Sequence, residues 1–323
     1  MIVRFLVYGA GAVGGAAGAL LHASGHETVL LARGAHLAAI QRQGLTLATP
    51  EDTRTLPIAA YADPAEVPHP VDAVLLAMKG NDTEAALRAL AATVDPATPV
   101  ACLQNGVANE RAALRLFPNV YAICVAFPAT HLEPGVVVAH SAPTPGILDL
   151  GRYPYGVDEV AQRIAGALRD AGFAASPRPD VMRWKYRKLL VNLSNAVDAV
   201  CVRDEATAEL GELLRAEAVA VLDAAGIDHA SAEEDRLRRG DTIRRQDVPG
   251  TPRGGSSSWQ SLARGTGSIE ADYLNGEIVL LGRLHGVATP YNEHARRVAN
   301  LFARQGRPPA SLPAAQWRTL LTS

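Results

Sequence analysis

The amino-acid sequence predicts a two-part α/β chain, with a doubly wound, mainly parallel sheet first and an all-helical domain after it. Three observations predict this. A β-type apolar run over residues 2–8 leads straight into glycines at 9, 11 and 14, followed by an Ala-rich helical stretch that stops at Gly25. Strand-like and helix-like segments then alternate as far as about Phe173, and from Asp180 onward helix follows helix. A boundary after residue 176 divides the chain into 1–176 and 177–323, a length that suits two cores better than one.

Composition narrows the class of function. Apolar residues make up 48% and the formal net charge is −2, so no basic field exists to hold nucleic acid. The N-terminal apolar run is too short for a signal peptide, and no apolar segment approaches the roughly 18 residues of a membrane span. A cytoplasmic protein without a membrane partner is expected. Cys102, Cys124 and Cys201 are scattered, with no CxxC and no His at ligand spacing, so neither a disulfide frame nor a metal site is indicated.

In chain order, Gly9, Gly11 and Gly14 have the GxGxxG spacing, between strand and helix, of a Rossmann dinucleotide site. Gly9 permits the turn, Gly11 lets backbone approach the pyrophosphate, and Gly14 allows the helix to lie close on the strand. The pyrophosphate is expected on the helix N-terminus, at Ala12 and Val13. The second strand, residues 28–32, ends in Arg33 with His36 nearby and lacks the acidic residue that would bind a ribose 2′-hydroxyl. A cation there suits a 2′-phosphate and favours NADPH/NADP as cofactor, a surface Arg being the alternative. Residues 45–60 read as a pair of short strands, followed by a Pro-rich linker. The buried-type strand VDAVLLAM ends at Lys79, and TPVACL ends at Gln104, Asn105 and Gly106. Ligands meet such sheets at the carboxyl ends of the strands, so Lys79 and Asn105 are candidates alongside the glycine loop. Each also has a plain reading, as a solvated strand-end Lys and a turn. Strands at 119–126, 136–139 and 147–150 and a helix at 158–171 complete this half, with antiparallel additions expected at its end.

The stretch 181–201, VMRWKYRKLLVNLSNAVDAVC, reads as one helix. At 100° per residue Lys185, Lys188, Asn192 and Asn195 fall within an arc of about 80°, a polar stripe on an apolar helix. Among 31 Lys plus Arg, only Lys79, Lys185 and Lys188 are Lys. An ammonium can exchange a proton near neutral pH when desolvated, and a guanidinium cannot. Snorkelling of Lys185 to solvent, with the Asn pair bridging helices, is the alternative. Helical patterns follow at 204–225, 230–244, 269–285 and 293–304. The Gly, Pro and Ser-rich segment 247–258 is a linker or a mobile loop, and Glu270 taken alone complements a helix dipole.

With Gly9, Gly11 and Gly14, Lys79, the Gln104, Asn105 and Gly106 turn, Lys188 with Asn192 four later, Ser258, and Glu270 in EADYLNG, the chain resembles the 2-dehydropantoate 2-reductase (ketopantoate reductase) family. The resemblance spans both halves. It implies NADPH-dependent reduction of a 2-keto acid to a 2-hydroxy acid, between a Rossmann domain and a helical domain. Mapped onto this sequence it makes Lys188 the catalytic Lys, Asn192 and Ser258 substrate-binding, and Glu270 the acidic residue that holds the substrate hydroxyl and the Lys. Arg33 falls near the 2′-phosphate, and Lys79 and Asn105 line cofactor and substrate.

The sequence also departs from the family. The second Asn of the family's helix is expected at Ala196, whereas Asn195 stands one position early. Ser258 is followed by Trp259 rather than Met, Leu262 stands where an Asp is usual, and Lys185, expected with Asn195 and Asn105 among the substrate-binding residues, is an additional cation beside Lys188. These departures bear on the substrate. The leading expectation is a small-molecule keto-acid reductase; another carbonyl or an imine, stacked on Trp259, and a non-catalytic NADPH sensor are the alternatives. Pairing of two copies as a homodimer is left open.

Overall fold

The computed structural model of the chain describes residues 1–251 and 254–317. Two compact units form, Met1–Lys185 with Ser231–Pro252, and Tyr186–Ala230 with Arg253–Ser323.

The first unit opens with β1 (Arg4–Tyr8), α1 (Ala12–Ala23), β2 (Glu27–Leu31) and α2 (Gly34–Gln43). There follow β3 (Leu45–Ala48), β4 (Thr53–Leu56), β5 (Ala59–Tyr61), β6 (Ala73–Leu76), α3 (Gly80–Ala91), β7 (Val100–Cys102) and α4 (Asn109–Leu114). It continues through β8 (Val120–Ala126), β9 (Ala129–Thr130), β10 (Val136–Ala139), β11 (Ile147–Arg152) and α5 (Glu159–Asp170). Seven strands make one sheet in the order β11-β8-β7-β6-β1-β2-β5, parallel except for β11 against β8. This is the doubly wound sheet the alternation predicts. The chain runs outward from β1 to β5, then restarts at β6 on the other side of β1, so the order reverses between β1 and β6. A crevice outside the strand ends is expected at that switch point.

Period-two alternation explains why both sheet faces are covered. Phe5 and Val7 enter one core with Ala16 and Ala17 of α1 and Ile164 and Leu168 of α5, while Leu6 and Tyr8 enter a second with Leu87 and Leu90 of α3. Residues 45–60 do contain the two expected short strands, yet β3 and β4 leave the main sheet. They join β10 and β9 in a separate four-stranded sheet of order β4-β3-β10-β9, whose Leu45, Leu47 and Val137 share the α1 side of the core. Which sheet a short strand joins is decided by long-range pairing, Val137 opposite Leu47 for instance, and local pattern does not report it.

The helical region comprises α6 (Val181–Asn192), α7 (Asn195–Val200), α8 (Glu205–Ala224), α9 (Ala232–Arg239), α10 (Ser257–Ala263), α11 (Asn275–His285) and α12 (Pro290–Arg304). The single helix expected over 181–201 is interrupted at residues 193–194. Ser194 Oγ donates to the Val191 carbonyl at 3.2 Å and Asn275 Nδ2 to the Leu193 carbonyl at 3.0 Å. Side chains thus take acceptors that the helical ladder would use. Further on, the helix expected over 230–244 ends at Gly240 (φ 41°), and Glu270 lies in a 3-10 turn, Glu270–Asp272, ahead of α11 rather than within a helix. In the second unit two fully buried amides hold the helices together. Asn275 Nδ2 also donates to Asn292 Oδ1, and Asn292 Nδ2 to the Leu214 carbonyl and Glu217.

The first unit regains Ser231–Pro252 through charge and backbone pairing, where the sequence suggests one boundary at 176. Arg183 grips Glu234 with both terminal nitrogens at 2.7 and 3.0 Å, Arg238 grips Asp149 at 2.7 and 2.6 Å, and Ser141 bridges Arg245. Among the described residues no helix is long and apolar enough to cross a membrane.

Candidate active site

At the end of β1 the glycine spacing has three distinct causes. Gly9 has φ +106°, and a Cβ on it would lie 2.7 Å from Met78 N, which is the point where β1 and β6 diverge. Gly14 would put a Cβ 2.2 Å from Gly9 O and 2.6 Å from Ala77 Cβ, so its bare Cα is what seats α1 on the strand. Gly11 differs: nothing lies within 4 Å of a Cβ built on it. It is also the N-cap of α1, and no side chain caps the helix there. Ala12 and Val13 therefore open a 12-residue helix whose positive end is left to an incoming anion. The cradle is open to a group with the charge and size of a pyrophosphate.

Arg33 is exposed, at the N-cap of α2, beside Tyr8. Burial pushes the Tyr8 phenol up, and the Arg33 cation, hydrogen-bonded to it, pulls the other way. The end of β2 thus carries an exposed cation held beside a phenol. His36 is placed otherwise: its ring nitrogens lie 2.7 Å from Ala10 O and 2.8 Å from Gly135 N, so it faces backbone.

The ends of β6 and β7 are tied by a polar network. Half-buried Lys79 is the N-cap of α3, and its carbonyl accepts from Asp82 N at 2.9 Å. Gln104 Nε2 donates to Met78 O at 2.9 Å and to Thr83 Oγ1 at 2.8 Å. Thr83 Oγ1 donates to Asn109 Oδ1, and Asn109 Nδ2 to the carbonyl of Asn105 at 3.0 Å. Asn105 thereby stands at a strand end fixed from both sides, in the same unit as the glycine loop and Lys79.

The polar stripe on 181–195 divides. Lys188 Nζ donates to Asn192 Oδ1 at 3.1 Å, the one-turn pairing the spacing predicts. Lys185 instead is 3% exposed, and its ammonium donates to the Gln104 carbonyl at 2.9 Å and to Glu110 Oε1. Asn195 stands at the first position of α7, beyond the interruption, with its carbonyl accepting from Ser256 Oγ at 3.4 Å. Glu110, wholly buried, is the participant the sequence reading missed. It lies 75 residues from its partner, and nothing local marks it.

Ser258 (3% exposed) is the second residue of α10 and Glu270 (6% exposed) opens its 3-10 turn, both in the second unit with Lys188 and Asn192. Ser256 caps α10 by accepting from Trp259 N, while its own N–H donates to Asp198 Oδ2 at 2.9 Å. The Trp259 ring lies over Gly255, where a Cβ would come within 2.5 Å of it. Of the segment 247–258, Pro252 and Arg253 lie outside the described residues. No group of three or more His, Cys, Asp or Glu among the described residues is arranged to hold a metal.

Comparison with known proteins places likenesses along nearly the whole chain. Residues 5–155 match the family model described as ketopantoate reductase PanE/ApbA, and residues 180–301 the model of its C-terminal part. The 2-dehydropantoate 2-reductase of Mycobacterium tuberculosis is 31% identical over 305 residues, covering 91% of this chain and 95% of its own. That of Halobacterium salinarum is 30% identical over 317 residues, covering 94% and 100%. Among solved structures, a PanE/ApbA family ketopantoate reductase from Ralstonia eutropha superposes with TM-score 0.78 at 30% identity, over 94% of this chain and 99% of that one. D-mandelate dehydrogenase, solved with NADH and anilino(oxo)acetate, shares the fold at TM-score 0.79 and 23% identity, over 94% and 99% of the two chains.

Proposed function

The chain belongs to the ketopantoate reductase family and is an oxidoreductase of that family, and from this premise we propose that it reduces a 2-keto acid, ketopantoate first among them, to the 2-hydroxy acid with NADPH and Lys188 as proton donor. The observation that carries the reading is the Lys188 ammonium held on Asn192 one helical turn away, in a chain that uses Lys three times in all.

When bound, a nicotinamide cofactor supplies the hydride that reduces C2 of the keto acid. The protein's part is to bind, orient and supply the proton. Gly9, Gly11, Ala12, Val13 and Gly14 cradle the pyrophosphate, Arg33 takes the 2′-phosphate, and Lys79 and Asn105 line the cofactor. Support for a nicotinamide comes from the open cradle at Gly11 and from the NADH-bound relative of the same fold. Negative charge grows on the C2 oxygen during reduction, and an ammonium is suited to it twice over, as the positive charge that stabilises it and as the acid that completes the alcohol. Asn192 aims that ammonium, and Glu270 holds it and the new hydroxyl. Ser258 and Asn195 are the further substrate-binding residues of the second unit and Asn105 that of the first, where Lys185 supports its turn through the Gln104 carbonyl. In this reading the first unit carries the cofactor residues and Asn105, and the second unit carries Lys188, Asn192, Asn195, Ser258 and Glu270.

Oxidation of NADPH, followed at 340 nm with ketopantoate and a panel of other 2-keto acids, tests this. We expect turnover by the native protein and a loss of kcat of about 10²- to 10⁴-fold in Lys188→Ala, the usual range for a lost general acid. Undiminished turnover in that variant, or none by the native protein on any member of the panel, overturns the reading. Cofactor choice is read separately: Arg33→Ala should weaken NADPH and leave NADH unchanged. A cytoplasmic location belongs to the same reading, and pairing of two copies is left open by it; Leu280 and Leu284 stand exposed four residues apart on α11, and sedimentation of the purified protein reads the number of chains directly.

A further inference from the structure

We infer that His36 is a positioning residue for the dinucleotide loop, fixing the peptide plane between Ala10 and Gly11 and so the direction of the Gly11 N–H that meets the pyrophosphate. This rests on the dinucleotide-binding reading of that loop.

His36 is the third residue of α2, just past the end of β2. Its two ring nitrogens have opposite duties. Gly135 N–H donates to Nδ1 at 2.8 Å, so Nδ1 presents its lone pair. In the neutral ring the proton is then on Nε2, which donates to the Ala10 carbonyl at 2.7 Å. The ring is also packed on that of His131, with centroids 4.1 Å apart, and His131 Nδ1 lies 2.9 Å from Val136 O. The imidazole is therefore held by the turn before β10 and by its neighbour while it grips the loop. Its rotamer is set by the second sheet.

The consequence for the loop follows from peptide geometry. In a planar trans peptide the C=O and the next residue's N–H point in opposite directions. A carbonyl of Ala10 held toward His36 sends the Gly11 N–H the other way. On the strand side, Ala10 N donates to Leu31 O at 2.9 Å and Gly9 N to the same oxygen at 3.1 Å, so the residue before the plane is anchored too. The glycine after the plane is what makes a latch necessary. Without a Cβ, Gly11 takes either sign of φ and so allows the Ala10–Gly11 peptide to turn over readily, and a loop free to do so meets the pyrophosphate with a carbonyl oxygen part of the time. A ligand that pays for ordering the loop binds more weakly than one that finds it ordered.

The test uses the purified full-length protein and two ligands, NADPH and 2′-AMP, which carries the adenosine and the 2′-phosphate but no pyrophosphate. Dissociation constants are measured by titration calorimetry for the native protein, for His36→Phe, which keeps a stacked ring and loses both hydrogen bonds, and for His36→Gln, which keeps an N–H donor. We expect His36→Phe to weaken NADPH about tenfold, the order of one lost charge-assisted hydrogen bond, while 2′-AMP stays within about twofold. His36→Gln should recover most of the loss. Equal loss for both ligands would mean that His36 merely supports the domain, and no loss for NADPH would remove it from the loop's function; either overturns the inference. Native protein that binds NADH but not NADPH refutes the 2′-phosphate reading alone, and the same comparison then runs with NADH against adenosine. Native protein that binds neither dinucleotide overturns both.

Discussion

Lys185 and Glu110 form a salt bridge with 2% and 0% of their side chains exposed. Such a pair is weak evidence for stability, because removing two ions from water can outweigh their attraction. Here the balance is further strained, since Glu110 Oε2 is buried with no hydrogen-bond partner among the described residues. What the pair visibly does is hold the Gln104 carbonyl, and with it the turn that carries Asn105. Two outcomes follow for stability. Lys185→Met or Glu110→Leu alone leaves one buried charge and should lower the unfolding free energy by about 3–5 kcal/mol, whereas the double variant should regain most of that. Urea unfolding reads both, and losses that simply add in the double variant would show that the ions are not paired in solution. The residue scale is also where the sequence was least complete. Lys185 could be singled out because Lys is rare in this chain, but the stripe of 181–195 suggested a partner in the ligand rather than a carboxylate 75 positions away. Lys188 and Asn192 were legible for the opposite reason, since a helix by itself brings residues four apart together.

At the scale of elements, the strand, turn and helix at the N-terminus could be read almost whole, because each glycine answers a local demand. Those demands separate by experiment. Gly14→Ala puts a methyl 2.2 Å from Gly9 O, and the backbone contact cannot be relieved without lifting α1 from β1. A fall in the melting temperature of several degrees or more is expected. Gly11→Ala meets open space, so its folded state should lose at most about 1 kcal/mol, from a poorer cap, while affinity for NADPH falls at least tenfold because the methyl occupies the anion's approach. Thermal unfolding and calorimetry measure the pair. A Gly11→Ala protein that binds NADPH normally would place the pyrophosphate elsewhere. The helix over 181–201 was less legible: its apolar pattern continues through residues 193–194, and the interruption comes from Asn275, which reaches in from α11. Tertiary acceptors and donors overrule a pattern that only its own segment can express. The four-stranded sheet escaped notice for the same reason.

For the molecule as a whole, the sequence reported the change from alternating strands and helices to helices alone, and placed the boundary there. It did not report that the chain comes back. Segment 231–252 returns to the first unit because α9 is built of charge, AEEDRLRR, with no buried residue of its own, and finds carboxylate and guanidinium partners on that unit. A helix held by ions rather than by apolar burial should be sensitive to acid. For Asp149, burial pushes the carboxyl up, but hydrogen bonds from Arg238 and Arg178 outweigh it and leave the group below the usual carboxylate range. Glu234 is held down to about 2, first by Arg183 and then by the Ser231 N–H of its own capping box. A carboxyl depressed in the folded state stabilises that state above its ordinary pKa of about 4, and the contribution disappears as the pH falls through the folded value. Asp149 is the greater contributor, since it is 3% exposed, while the half-buried Arg183–Glu234 pair is partly screened by solvent. Protection of the amides in Ala232–Arg239 against hydrogen exchange should therefore fall between about pH 4 and pH 2, before that of β1 and β6. Arg238→Met should move the fall to higher pH, because Asp149 then titrates closer to its ordinary value. If protection in α9 is instead lost together with that of β1 and β6, at one pH and without regard to Arg238, the ion pairs do not hold the returning segment, and the apolar contacts of residues beyond Arg239, Val248 first among them with its place beside Ala48 and Val138, must do so.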